Sequence, residues 1–319
     1  MDVIAVYGHM PFDLVEIPPG AIQCSPRVPG ASPLGGVATA SAAEIIIHAP
    51  ANVVERQRLI AMALRALAPG APLTIVAHNT KGGTRLAKEL EAFGCEVSAD
   101  HKHHHKIVRG TRPVDLPARD IDIAIAAGEP RLLLDLGLWS QPGLFNWDRI
   151  DPGSALLIAN MPVLAGRGAD LGCGIGVLAR SVRQGGECTA MHLIDIDARA
   201  LDMARRNVPG DGVSSLWRDV RTATDLPRNL DFVVCNPPFH DAGQEDHHLG
   251  RIFIEKAATM LNPRGILWLT ANRHLPYEAT LNTVFETVEP VADEAGFKVF
   301  AARKGAAVKP GDRTGRGRR

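Results

Sequence analysis

Apolar residues fall along this chain in short runs, and between the runs lie stretches in which apolar positions recur at helical spacing. The segment from Val3 to Tyr7 is apolar, and the Pro- and Gly-rich sequence after it, up to residue 42, carries no assignable period. From residue 43 the pattern clears. The run Glu44-Ile-Ile-Ile-His48 reads as a buried strand, and Asn52 is placed to cap a helix through about Leu67, ended by Pro69-Gly70. Residues 73–77 give a second strand and 84–93 a second helix, ended by Gly94. Strand and helix alternating over short connections predict an α/β unit. Residues 110–142 are mixed, with prolines at 113, 117, 130 and 142, and the Gln-Pro-Gly beginning at 141 predicts a domain junction.

The second half is more regular. A short apolar helix from 155 leads into a strand, a Gly-rich loop and a helix over 168–184. Strands follow at 189–194, 213–217, 231–235 and 266–270, with helices at about 197–207, 245–261 and 276–287. Residues 288–293 and 297–302 predict a hairpin around Glu294-Ala-Gly296. Five strand–helix repeats with a terminal hairpin predict a doubly wound, Rossmann-like sheet with an antiparallel edge.

At 319 residues, 45% apolar and 22% charged, the chain has room for two globular domains. No apolar run approaches the roughly 20 residues of a membrane span, and the N-terminus carries no basic region ahead of a cleavable apolar stretch. Five dispersed cysteines (24, 95, 173, 188 and 235) with no C-x-x-C pair fit a reducing compartment, so the expected location is cytoplasmic and without membrane attachment. The net charge is zero but unevenly spread. Residues 303–319 hold seven Lys/Arg against Asp312 alone, a net of +6, which leaves −6 on residues 1–302. Such a basic, Gly-rich end reads as a disordered tail with the capacity to contact phosphates.

The chemistry concentrates in Asp170-Leu-Gly-Cys-Gly-Ile-Gly176. An acid near a strand end, glycines at alternate positions (Gly172, Gly174, Gly176, with Cys173 between the first two) and a following helix make a cradle for a nucleotide-like ligand. A dinucleotide fingerprint would need a glycine where Val177 stands. Asp195 ends the next strand, 25 residues after Asp170, where a carboxylate can accept ribose hydroxyls. Asp219 closes the third strand behind Trp217, in reach of an adenine amine. At the end of the fourth strand stands Asn236-Pro-Pro-Phe239. Two prolines end the ladder and present the Asn236 side chain and the Pro237 carbonyl as fixed acceptors. Acceptors taking both hydrogens of a delocalised amine favour tetrahedral nitrogen and aim its lone pair, while Phe239 offers a ring to a planar base.

The D-x-G-x-G-x-G loop followed by N-P-P-F resembles the amino-group methyltransferases of class I, which use S-adenosylmethionine (AdoMet). With Gly143-Leu-Phe-Asn-Trp-Asp-Arg-Ile-Asp-Pro-Gly-Ser154 upstream, and Asn236–Asp241, Ala271–Tyr277 and Gly296–Phe300 downstream, residues 143–302 resemble the bacterial ribosomal RNA guanine-N2 methyltransferases. The resemblance implies two tandem methyltransferase-like domains: 1–140 lacking the cofactor fingerprint, 141–302 catalytic, then the tail 303–319. It implies AdoMet held by Asp170, Gly172, Cys173, Gly174, Gly176, Asp195, Asp219 and Asn236, and a base held by Asn236, Pro237 and Phe239. Ribosomal RNA is the implied partner, with the assembled small subunit preferred and no metal needed. Large-subunit RNA, DNA adenine and protein glutamine stay open as substrates, as does a non-enzymatic ribosome-binding role. Asn146 departs from the family pattern, which has a small residue there.

Two features of the first half stand outside this reading. The loop His78-Asn-Thr-Lys-Gly-Gly83 has paired glycines and Lys81 but no strand-end acid. The run His101-Lys-His-His-His-Lys106 would put His101, His103 and His105 on one face if it were a strand, as a metal site requires, and reads more simply as an exposed basic loop or edge strand.

Overall fold

A computed structural model describes residues 3–306 apart from 239, 242, 243 and 246, and gives the backbone alone at 240, 241, 244, 245 and 247. The chain forms two compact units: residues up to Arg149 together with Ile196–Met203, and Ile150–Asp195 together with residues from Ala204 on.

The first unit begins with β1 (Val3–Tyr7), the two-residue β2 (Ile22–Gln23) and β3 (Ala42–His48). Helix α1 (Val53–Ala66) starts where the Asn52 side chain accepts the Glu55 amide at 3.0 Å, and ends as Leu67 turns extended. Then come β4 (Pro72–His78), α2 (Leu86–Glu91), β5 (Val97–Lys102), β6 (His105–Thr111), α3 (Ala118–Ala127) and a small hairpin of β7 (Arg131–Leu133) and β8 (Leu138–Ser140). The sheet order is β2-β1-β3-β4-β6-β5, parallel from β2 to β4 and antiparallel beyond. Ile45, Ile46 and Ile47 of β3 are fully buried, as an apolar run in a sheet covered on both faces must be.

Two expectations for this unit change, and for the histidine run the simpler of the two readings, an exposed basic loop or edge strand, holds. Helix α2 is shorter than 84–93, because Gly83–Arg85 winds as a 3-10 turn and a Cβ at Gly83 would stand 2.7 Å from the Ala77 carbonyl. The histidine run is the tip of the β5–β6 hairpin: His103 and His104 form its two-residue turn at φ 47° and 59°. His101, His103 and His105 therefore do not share a strand face. The junction falls between Arg149 and Ile150 rather than near 141. Gln141 donates from Nε2 to the Gly128 carbonyl at 2.9 Å, and a Cβ at Gly143 would meet the Glu55 carboxylate, so this stretch packs with the first unit. Asn146 adopts φ 43°, a conformation that Asn tolerates better than most residues.

The second unit opens with α4 (Pro152–Asn160), followed by β9 (Gly166–Leu171), α5 (Val177–Gln184) and β10 (Cys188–Asp195). Next are α6 (Ala198–Asn207), whose first turns group with the first unit, then β11 (Val213–Trp217) and β12 (Leu230–Cys235). No helix lies between β11 and β12, so the expected fivefold strand–helix repeat is interrupted there by a loop. A short pair, β13 (His240–Asp241) and β14 (Gln244–Glu245), precedes α7 (His247–Met260), β15 (Leu261–Asn272), α8 (Glu278–Val284), β16 (Thr287–Glu294) and β17 (Phe297–Arg303). The main sheet runs β11-β10-β9-β12-β15-β17-β16, with five parallel strands and an antiparallel edge. The order reverses at β9, whose Asp170 stands in register between Leu193 and Val234. In an open α/β sheet a ligand lies beyond the carboxyl ends of the strands at such a switch point. The centre is tight: a Cβ on Gly168 would come within 2.0 Å of the Phe232 ring.

Candidate active site

The glycine loop is built from both sides of the switch point. Gly172 and Cys173 donate their amides to the Ile194 carbonyl at 2.8 and 3.0 Å, and Gly176 donates to the Cys173 carbonyl at 2.8 Å. Gly172, Gly174 and Gly176 sit at φ 79°, 51° and 85°, all left-handed. Packing gives two of them a second reason to be glycine: a Cβ at 172 would press on Phe253, and one at 176 on Ala204 and Val208. At Gly174 a Cβ would meet nothing within 4 Å, so there the backbone itself faces open space.

Asp170 lies beneath the loop and is 1% exposed. Its Oδ2 accepts the Ala179 amide of α5 at 3.0 Å, while its buried Oδ1 accepts no hydrogen bond among the described residues. Burial pushes this carboxyl up to about 7, against the Ala179 hydrogen bond and with help from Asp195. A buried acid with an unused oxygen is costly unless something polar completes it. Left-handed glycines, an open backbone at 174 and that orphaned oxygen fit a nucleoside sulfonium in this cradle. Cys173 and Cys235 are buried, and burial raises both thiols, so neither is a ready nucleophile. The Cys235 thiol donates instead to the Leu171 carbonyl at 3.1 Å, tying β12 to β9.

Asp195 ends β10 as expected, and its Oδ2 accepts the Gly174 amide at 2.8 Å. The acid thus sets the loop's shape as well as standing beside it. Asp219 lies two residues past β11, with both oxygens engaged by Arg221 at 2.8–3.0 Å. Burial raises its carboxyl, but the Arg221 guanidinium and amide outweigh that and hold it below the usual range.

At the end of β12 the Asn236 side chain is fixed in one orientation. Its Nδ2 donates to Asp151 Oδ2 at 2.8 Å and to Ser154 Oγ at 2.9 Å, so the carbonyl oxygen is the atom left to accept. Asp151 also caps α4, taking the Ser154 amide at 2.8 Å on the same Oδ2, with Pro152 opening the helix. Pro237 is buried and Pro238 exposed; Phe239 lies outside the described residues. The ends of β9, β10 and β12 therefore bring Asp170, Asp195 and Asn236 to one edge of one sheet, with Asp219 following the outer strand β11. Asp151 and Ser154 were not expected in the site. Their signal was the capping pattern Asp-Pro-Gly-Ser, readable as a helix start but not as a partner for an asparagine 82 or more residues away.

Among the described residues no group of three or more His, Cys, Asp or Glu could hold a metal ion, and no helix is long and apolar enough to cross a membrane.

This sheet order, glycine loop and strand-end Asn-Pro-Pro define a class I AdoMet-dependent methyltransferase. The methyltransferase small domain family matches residues 135–301. Curated relatives named ribosomal RNA small subunit methyltransferase C are similar along most of the chain. That of Pseudomonas aeruginosa (strain LESB58) is 31% identical over 244 residues, covering 76% of this chain and 73% of its own. That of Stutzerimonas stutzeri is 30% identical over 250 residues, covering 76% and 74%. By these matches the chain belongs to the methyltransferase small domain family, among the small-subunit ribosomal RNA methyltransferases C. The fold agrees with the T. thermophilus 16S rRNA N2 G1207 methyltransferase, solved in complex with AdoMet and guanosine, at TM-score 0.71 and 23% identity over 86% of this chain and 76% of that one.

Proposed function

We propose that this enzyme transfers the AdoMet methyl group to the N2 amine of a guanine in 16S ribosomal RNA, acting on the assembled small subunit in the cytoplasm. The observation that carries the reading is the locked Asn236 amide, whose donors are spent on Asp151 and Ser154. Its Oδ1 can then only accept, which suits an amine and not a carbonyl. With the Pro237 carbonyl it takes the two hydrogens of the guanine amine and holds the nitrogen lone pair in line with the methyl carbon. Bound AdoMet supplies an electrophilic sulfonium methyl, and displacement on it calls for neither metal nor covalent intermediate. Asp170 and the loop Gly172-Cys173-Gly174-Ile175-Gly176 shape the methionine side of the cradle, Asp195 takes the ribose, and the 217–219 segment borders the adenine. Phe239 stacks on the base. Catalysis belongs to the second unit, since the first has no glycine triplet. The −6 carried by residues 1–302 disfavours naked RNA and favours a particle that also offers protein contacts.

The test is to incubate the enzyme with labelled AdoMet and, separately, small subunits, large subunits and each naked RNA from a strain lacking the activity, then to map modified nucleosides. N2-methylguanosine in small-subunit RNA, formed best on the particle, is the expected product. Label confined to large-subunit RNA overturns the subunit assignment, and label on adenine overturns the substrate class.

A further inference from the structure

The carboxyl ends of the first unit's parallel strands carry imidazoles where the second unit carries its glycine loop. β3 ends at His48 and β4 at His78, and His9 follows β1 by two residues. The β5–β6 hairpin brings more: His105 pairs in register with His78, their rings lie 5.1 Å apart at 89°, and the His104 ring is 6.4 Å from His78. Thr80 donates its amide to His78 Nδ1, and His105 Nδ1 donates to the His103 carbonyl at 2.6 Å, so both rings are fixed. Lys81 lies close enough to act electrostatically on His48 and His78, Lys102 pairs in register with His105, and Lys106 donates to His101 Nε2 at 2.8 Å. The nearby acid Asp100 is paired with Arg109 at 2.7 Å.

The loop at 11–13 adds an aromatic ring. Leu14 is buried with Val76 and Ile107 and anchors the loop, yet Phe12 is 68% exposed. Phe12 and Asp13 both take left-handed backbone, at φ 56° and 49°. A bulky residue in that region costs free energy, and a fold has no packing reason to bear that cost in order to hold an apolar ring in water. The ring stands 5.6 Å from that of His103 and 5.9 Å from that of His105. An exposed aromatic among imidazoles, bordered by lysines, is the chemistry that stacks unpaired bases and tracks their phosphates.

We propose that this rim of the first unit, with Phe12, His103 and His104 as stacking surfaces and Lys81 and Lys102 as phosphate contacts, docks single-stranded ribosomal RNA away from the methylated base. The inference rests on the reading that the substrate is RNA, and it gives the unit without a cofactor loop a substrate-holding role.

The experiment uses the full chain and a fluorescein-labelled 12-nucleotide RNA without guanine, which the methylation pocket does not select. Phe12→Ala should weaken binding by about tenfold, the scale of one lost base stack, while Phe12→Trp should bind at least as well as the wild type. The double variant Lys81→Ala/Lys102→Ala should flatten the salt dependence by about 1.4 log units, roughly 0.7 for each lost contact to a single strand. Unchanged melting temperatures and AdoMet titrations establish that the variants are folded. Binding by Phe12→Ala equal to wild type overturns the proposal. So does a loss seen only with small subunits and not with the oligonucleotide, which would make the rim a protein contact. Assaying wild type for N2-methylguanosine in parallel separates the two ideas: absence of that product sinks the function and leaves the docking measurement standing.

Discussion

The Asn236 amide shows how little of a catalytic group's behaviour lies in the group itself. An asparagine at a strand end can point either its oxygen or its nitrogen outward, and Asp151 with Ser154 decides the matter. Asn236→Ala should lower turnover by about 100-fold or more, the scale for losing one pre-organised hydrogen bond, and should change AdoMet affinity, read by calorimetry, far less than turnover. Near wild-type turnover would remove Asn236 from the mechanism. Asp151→Ala should also slow the reaction, because the amide can then rotate, and should cost about 1 kcal/mol of stability through the lost cap. Asp170 carries a pH signature. Its folded value of about 7 lies above that of an unfolded aspartate. Its contribution to stability is therefore fully present below about pH 4 and is lost as pH rises through about 7. The integrated effect is on the order of 4 kcal/mol at most. In the absence of AdoMet, urea denaturation should show stability falling between about pH 4 and 7 and levelling off above that, and Asp170→Asn should flatten that slope.

At the scale of elements, legibility followed periodicity. The run at β3, the Asn52 cap and the Gly-loop unit were readable because each is specified by residues close in sequence. β2 was not, since two residues in a Pro- and Gly-rich stretch carry no period. Nor was the His103-His104 turn, because left-handed turn positions are usually marked by Asn or Gly. The central pair β9–β12 depends on a contact that sequence does not display. Gly168 is glycine because the Phe232 ring occupies the space of its Cβ. Gly168→Ala should destabilise the protein by about 1–3 kcal/mol through overpacking, and Phe232→Leu in the same chain should recover part of that. Urea midpoints of the two single variants and the double variant form the cycle that checks it.

At the scale of the whole molecule, the first unit is discontinuous, which no pattern along the chain reveals. Its segment Ile196–Met203 comes from the far side of β9 and β10. Within that segment Ala198 donates its amide to the Pro26 carbonyl, and Arg199 bonds Glu55 at 2.6 Å and Asp197 at 2.7 Å. Burial raises the Glu55 carboxyl, and Arg199 is its chief counterweight. Removing one partner of a buried pair costs about 3–5 kcal/mol. Arg199→Ala should lower the melting temperature of the intact chain, and an isolated fragment of residues 1–149 should melt lower than the same unit does in the whole protein. A fragment as stable as the intact unit would show that the pair contributes little. The same discontinuity bears on synthesis. A nascent chain that has reached Arg149 lacks one segment of its first unit, and at about 5–20 residues per second roughly 3–10 s pass before Met203 is added. During that interval Glu55 has no Arg199, and the first unit waits for the sequence that encodes the cofactor loop of the second.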